Sequence, residues 1–171
     1  MVDNPPRSKS STTPCSLIPV FMHYRLFEPA DFDDLYAIEE VCFQHPQRFT
    51  RRYMRQLIAS ADSATWIAEQ NDTMVGFAIL EWTQQISGVV AYIATIEVLP
   101  AFRKQGIAAE LLHRLEGSAN AEKANDIWLH VDTENAAAIR LYERLGFHNT
   151  GRAEHFYARH RPAAIYVKHL V

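Results

Sequence analysis

The segment Val98-Leu99-Pro100-Ala101-Phe102-Arg103-Lys104-Gln105-Gly106-Ile107-Ala108 sets a strand end, a tight connection and a helix start in immediate succession. Backbone N–H groups in the first turn of a helix have no intrahelical partner, and the helix dipole makes that end electropositive. Such a start can hold an anion. Gly106 and Ala108 carry almost no side chain, so a pyrophosphate can approach the backbone, and Arg103 and Lys104 add positive charge beside it. On this fragment alone, an ordinary strand-turn-helix with a solvated Arg-Lys pair accounts for the same residues, because short glycine motifs are weak evidence. His130, inside the apolar run Ile127-Trp128-Leu129-His130-Val131, titrates in the range a general base needs. Taken by itself it reads as a hydrogen-bonded structural histidine on a strand buried on both faces. His148, His155, His160 and His169 fall on two strands and a loop, with no spacing that puts two on one helical face, so no metal site is expected. Arg159-His160-Arg161 reads as a short solvated loop.

Positioning these residues falls to alternating strands and helices. A short strand covers residues 24–27, and Pro29-Ala30-Asp31 opens a helix in which Phe32, Leu35, Tyr36, Ile38 and Val41 to Phe43 recur at helical spacing until Pro46. A second helix over 50–60 carries Tyr53, Met54, Leu57 and Ile58 on one side. Strands over 64–69 and 75–82 are joined by Asn71-Asp72, which favours a hairpin turn. A β-rich run over 89–99 closes at Pro100, and a helix over about 105–121 follows with Ile107, Leu111, Leu112 and Leu115 inward. After the strand over 127–131 comes a helix over 135–145 that Gly146 terminates, then strands over 147–152 and 163–170. The order β-α-α-β-β-β-α-β-α-β-β predicts an α/β domain with a single mixed sheet flanked by helices, and no internal repeats.

The 171 residues, 48% hydrophobic and 22% charged, suit one globular core. Residues 1–21, rich in Pro, Ser, Thr and Asn up to Cys15, read as a disordered or dispensable tail, and Met22 is an alternative translation start to Met1. The domain is assigned to 22–171. Neither Cys15 nor Cys42 belongs to a Cys-x-x-Cys pair, which argues against a disulfide framework or zinc site and fits a reducing cytoplasm. A net charge of -3 argues against nucleic-acid binding through a broad basic surface. No apolar run reaches membrane-spanning length, and no secretory signal opens the chain.

Arg103-x-x-Gly106-x-Ala108 after the Val98-x-Pro100 strand exit resembles the acetyl-CoA pyrophosphate loop of the GNAT superfamily of N-acetyltransferases. Asn135-Ala136-Ala137-Ala138-Ile139-Arg140-Leu141-Tyr142-Glu143-Arg144-Leu145-Gly146-Phe147 resembles the family's Asn-x-x-Ala-x-x-x-Tyr-x-x-x-Gly-Phe signature. The resemblance covers about residues 22–171. It implies the GNAT fold, with acetyl-CoA as co-substrate and no metal. It also implies that strand 96–98 splays from strand 127–131 so that the acyl group threads between them. Pantetheine would then pair with the backbone at Ile96 and Val98 and with Asn135 and Ala138. Arg103, Lys104, Gln105, Gly106, Ile107 and Ala108 would take the pyrophosphate. Tyr142 would hydrogen-bond the departing thiolate as general acid, although a core tyrosine packing the last helix fits the same position.

Within the superfamily the wording is most similar to N-terminal acetyltransferases, both the bacterial ribosomal-protein-alanine type and a eukaryotic type acting on Met-starting peptides. Phe156-Tyr157 falls where those enzymes carry a Tyr-Tyr that closes over the peptide, and the stretch from Glu39 to Pro46 resembles their first substrate wall, with Phe43 and Pro46 in it. His130 stands where the bacterial type has Glu and the eukaryotic type has His, which that enzyme pairs with a Tyr at the place of Tyr92. The resemblance therefore implies a base assembled from Tyr92 and His130. An α-amine with a pKa near 7.7–8.0 needs one, being largely protonated at neutral pH. Glu97 is the competing base, ahead of Glu39 and Glu40, which read as capping or solvated on the first helix. The reaction so implied is acetyl transfer to the α-amine of a peptide or protein N-terminus by direct attack. Alternatives are a small-molecule amine as acceptor, or a non-catalytic acyl-CoA-binding module, against which Tyr92, His130 and Tyr142 speak. Monomer and homodimer both remain open.

Overall fold

The computed structural model describes residues 21–43, 47–158 and 161–170, so the tail assignment, Pro46 and the Arg159-His160 pair lie outside the described residues. Seven strands and four helices follow the expected order: β1 (Met22–Leu26), α1 (Phe32–Cys42), α2 (Arg51–Ile58), β2 (Ser63–Gln70), β3 (Thr73–Gln85), β4 (Gly88–Val98), α3 (Ile107–Ala121), β5 (Ala124–Asp132), α4 (Ala136–Arg144), β6 (His148–Ala158) and β7 (Arg161–His169). They build one mixed sheet in the order β1-β2-β3-β4-β5-β7-β6, with only the β4–β5 pair parallel. That pair is joined through α3, the crossover a parallel pair requires.

Local chemistry explains the boundaries. Asn71 and Asp72 both take positive φ, 48° and 61°, which matches the twist of a tight hairpin between β2 and β3. The Thr50 side chain accepts the Tyr53 N–H at 3.2 Å and starts α2. Apolar stripes then sort the helices onto two faces. Leu111, Leu112 and Leu115 of α3 bury against Ala78, Leu80, Ile93 and Ile127 on one face. Phe32, Leu35 and Ile38 of α1, with Met54 and Leu57 of α2, bury against Ile67, Phe77 and Ile79 on the other. Burying such a side chain contributes about 1.5–3 kcal/mol.

Two irregularities in β4 position everything that follows. Its pairing with β3 shifts register at Ile79/Leu80, which face Thr95 and Ile93 and leave Ala94 as the extra residue of a bulge. Its pairing with β5 ends at Ile93↔Leu129, whereas β4 continues beside β3 to Val98 and β5 beside β7 to Asp132. The strands therefore part after the bulge. The extra residue also reverses the alternation, so Ile93, Ile96 and Val98 all pack on the α3 side.

Opposite Val98, β3 carries Gly76, where a Cβ would come within 2.6 Å of the Glu97 carbonyl and 3.2 Å of Val98 Cγ2. Gly76→Ala must push β3 from β4 at Val98, at the C-terminal end of β4. A loss of about 1–3 kcal/mol is expected in thermal or urea denaturation.

Three expectations change. β5 is not buried on both faces: Ile127, Leu129 and Val131 are buried, whereas Trp128 and His130 are half-buried on the other side. A strand flanked by a helix on one face and a cleft on the other alternates in this way. β6 runs past residue 152 to Ala158, because β7 pairs with it again at Ala158↔Arg161 beyond an irregularity, so Phe156 and Tyr157 belong to a strand. Arg161 begins β7 and forms an ion pair with Asp132 at 2.5 Å.

Candidate active site

Between the diverging halves of β4 and β5 lies a slot edged by residues 94–98 on one side and 130–132 on the other. Ile96 and Val98 stand on the first edge. The Val98 carbonyl accepts Arg103 Nε at 2.9 Å and meets Cys42 Sγ at 3.7 Å. Arg103 is thus folded back on β4 and stiffens the strand exit.

At the end of that exit Gly106 occupies the cap position of α3 with φ +83°. An added Cβ would meet nothing within 4 Å, so the left-handed backbone and not crowding is what calls for glycine. The first intrahelical bond is Glu110 N–H to the Gly106 carbonyl at 3.1 Å, and no side chain caps the helix. The N–H groups of Ile107, Ala108 and Ala109 precede that bond and point out of the helix start, the geometry an anion exploits. Lys104 and Gln105 are exposed beside it.

α4 starts on the far edge of the slot, where Asn135 Oδ1 accepts the Ala138 N–H at 3.1 Å and serves as the helix cap. Its amide nitrogen is left for another partner. Tyr142 packs on Phe147 and Tyr166 with ring centroids 5.8 and 6.5 Å away. Burial pushes its phenol up to about 12, so the proton stays on at neutral pH.

On the α1–α2 face, Tyr92 and His130 meet across the β4–β5 pair with 3.2 Å between the phenol oxygen and Nδ1. Burial pushes Tyr92 up to about 12, aided by Tyr53 and Glu81, and lowers the His130 imidazole below 6.5. Both groups are then neutral and share one hydrogen bond; the tautomer with the ring proton on Nε2 leaves Nδ1 to accept from the phenol. Aromatic rings enclose the pair. Phe156 stacks on His130 at 3.9 Å, Trp128 contacts both members, and the Tyr157 hydroxyl donates to the His130 carbonyl at 3.3 Å.

Glu97 stands apart from this group. Its carboxyl is 3% exposed, beneath α1, and burial together with the neighbouring Glu39 pushes it well above the carboxylate range. That shift favours the protonated form, which cannot take up another proton. Glu39 also departs from expectation, being 1% exposed instead of solvated. It falls on the stripe of Phe32, Leu35 and Tyr36, a helical spacing that marks it as inward-facing. Phe43 is the C-cap residue of α1. Trp128 was not singled out from the sequence, although it sits two residues before His130 and therefore shares its face. It lines a hollow of about 410 Å³ with Tyr92, Trp82, Asp62 and Glu81. Among the described residues no cluster of three His, Cys, Asp or Glu is placed to hold a metal, and no helix is long and apolar enough to cross a membrane.

Comparison with known proteins agrees with this architecture. Residues 32–147 match the model of the acetyltransferase (GNAT) family. The chain is 26% identical over 163 residues to histone acetyltransferase MCC1 of Arabidopsis thaliana, covering 82% of this chain and 65% of that protein. It is 28% identical over 146 residues to N-alpha-acetyltransferase 60 of Xenopus tropicalis, covering 74% and 60%. The fold superposes on Naa50 of Arabidopsis thaliana in complex with the bisubstrate analogue CoA-Ac-MVNAL, with a TM-score of 0.76, 27% identity and coverage of 87% of this chain and 99% of that one. A seven-stranded sheet parted at β4 and β5, an uncapped helix start at the strand exit and a family match over two thirds of the sequence lead to one conclusion: this chain is a member of the GNAT acetyltransferase family.

Proposed function

We propose that the protein transfers an acetyl group from acetyl-CoA to the α-amine of a peptide or protein N-terminus. The observation that carries this reading is the Tyr92–His130 contact at 3.2 Å, set on the face of the sheet opposite α3 and walled by aromatic rings. Acetyl-CoA supplies the activated acyl group. The residues present suit it: the N–H groups at the start of α3 would receive the pyrophosphate, with Lys104 and Gln105 exposed beside them, and Arg103 would join them on leaving the Val98 carbonyl that it holds here. The backbone of Ile96 and Val98 and the amide of Asn135, near Ala138, would receive the pantetheine.

The chain's own groups move the protons. An incoming ammonium gives its proton to the Tyr92 oxygen as the Tyr92 hydroxyl proton passes to His130 Nδ1, which is free to take it because burial keeps the imidazole neutral at pH 7. The amine, now neutral, can attack. Tyr142, whose phenol retains its proton, protonates the departing thiolate, and the second proton that the nitrogen sheds as the tetrahedral intermediate collapses restores the phenol. Phe43 on one wall and Phe156 with Tyr157 on the other exclude water and admit a chain terminus.

Incubation with acetyl-CoA and a set of tetrapeptides, read by mass spectrometry, is expected to give a mass increase of one acetyl group on the α-amine. The reading fails if no peptide N-terminus is acetylated while a free small amine is. A second reading, a small amine carrying a further positive charge, is favoured by the hollow beside Tyr92 and Trp128, where Asp62 and Glu81 form no ion pair among the described residues. A polyamine in the same assay separates the two.

A further inference from the structure

Glu39 of α1 and Glu97 of β4 are neighbouring buried acids, 1% and 3% exposed. The Phe49 N–H donates to Glu39 Oε1 at 2.7 Å, and the Thr95 hydroxyl donates to Glu97 Oε1 at 2.9 Å. The second oxygen of each carboxyl, Oε2, is buried and has no hydrogen-bond partner among the described residues. The two carboxyls are nonetheless close enough for Glu39 to raise the pKa of Glu97. Ionised carboxylates only accept, so a doubly ionised pair would repel and leave both Oε2 atoms unsatisfied. One proton between them supplies the missing donor.

The pair sits at a junction. The Glu39 carbonyl accepts the Phe43 N–H at 2.9 Å and its carboxyl accepts the Phe49 N–H, so one residue holds the end of α1 and Phe49 together. Glu97 lies next to Val98, whose carbonyl takes Arg103 and Cys42. We propose that Glu39 and Glu97 are positioning residues, and that a single proton held between their buried carboxyls clamps the end of α1, with Phe43 and Phe49, to β4 beside the slot. The clamp fixes the distance between the acceptor wall and the acyl site, and it rests on the reading of Phe43 as part of that wall.

Among the described residues, the titratable or charged groups that act on Glu97 are Glu39 and Cys42 of α1. Arg103, beyond β4, donates to the Cys42 sulfur at 3.8 Å, and the thiol, pushed up to about 11 chiefly by burial, keeps its proton. The folded value of Glu97 lies above its ordinary 4.5, so the stability the clamp contributes is complete below 4.5 and is lost as pH rises through the folded value.

Infrared spectroscopy of the whole chain near pH 7 is expected to show the carbonyl band of a protonated carboxyl that disappears in Glu97→Gln; absence of the band in the wild type overturns the proposal. The thermal midpoint of the wild type is expected to fall as pH rises from 4.5, and that of Glu97→Gln to fall less; parallel curves count against it. In steady-state kinetics, Glu97→Leu leaves Glu39 without its donor and is expected to raise the acceptor KM about tenfold or more, with the acetyl-CoA KM within about twofold, whereas Glu97→Gln restores most of the acceptor KM because its amide donates to Glu39. Equal changes in both KM values would mean a merely structural role. The infrared and melting measurements need no acceptor, so they test the clamp even where peptide acetylation fails.

Discussion

Replacing His130 with alanine is expected to lower kcat/KM for a peptide acceptor by about 10²- to 10⁴-fold, the usual contribution of a positioned general base, while the KM for acetyl-CoA stays close to wild type. A hundredfold loss corresponds to about 2.7 kcal/mol of transition-state stabilisation. Tyr92→Phe removes the hydroxyl that bridges the amine and Nδ1, and the two changes together should cost little more than either alone, since they interrupt one proton path. The pH profile separates this role from simple packing. His130 lies below 6.5 in the folded protein, so the base is lost as pH falls through that lower value, beneath the limb near 7.7–8.0 that belongs to the amine. Only the amine limb should remain in His130→Ala. If kcat/KM changes less than about fivefold, or the lower limb survives, His130 is a packing residue among Trp128 and Phe156.

Phe77→Ala is expected to have the largest effect on stability. Phe77 is fully buried in the middle of β3 and belongs to the core that seats α1 and α2 on the sheet. Truncating a buried phenylalanine costs about 3–5 kcal/mol through lost transfer energy and the cavity left behind. For a chain of this length each kcal/mol lowers the melting midpoint by about 2–4 °C, so a drop of roughly 6–20 °C should appear by calorimetry. The consequence reaches the site. α1 carries Glu39 and ends at Phe43, so loosening its seat should also weaken acceptor binding more than acetyl-CoA binding, which depends on α3 across the sheet. A midpoint within about 2 °C of wild type would show that α1 is not seated by Phe77.

Most of the element order was legible because local signals are strong here. Asn71-Asp72 can turn only a hairpin cheaply, Pro100 ends a strand, and the leucines of α3 repeat at the spacing of one helical face. The Gly106 helix start and the Asn135 to Phe147 signature likewise lie within single stretches, so their residues are neighbours in the chain before they are neighbours in space. The extent of β6 was not legible, since its end is held by pairing with β7 across an irregularity and not by any local preference.

What the sequence determined by itself is the type of each element, the glycine-led helix start and the presence of a tyrosine and a histidine suited to acid–base work. Only the tertiary structure decided which of these groups meet. The bulge at Ala94 reverses the alternation of β4, and the loss of pairing after Ile93 opens the slot; both depend on partner strands far along the chain. The same folding brings Tyr92 to His130 across 38 residues of sequence and turns Glu97 away from them toward Glu39. A residue's spacing sets which face of its own element it occupies, but the protonation state of a carboxyl or an imidazole depends on what the other elements place against it.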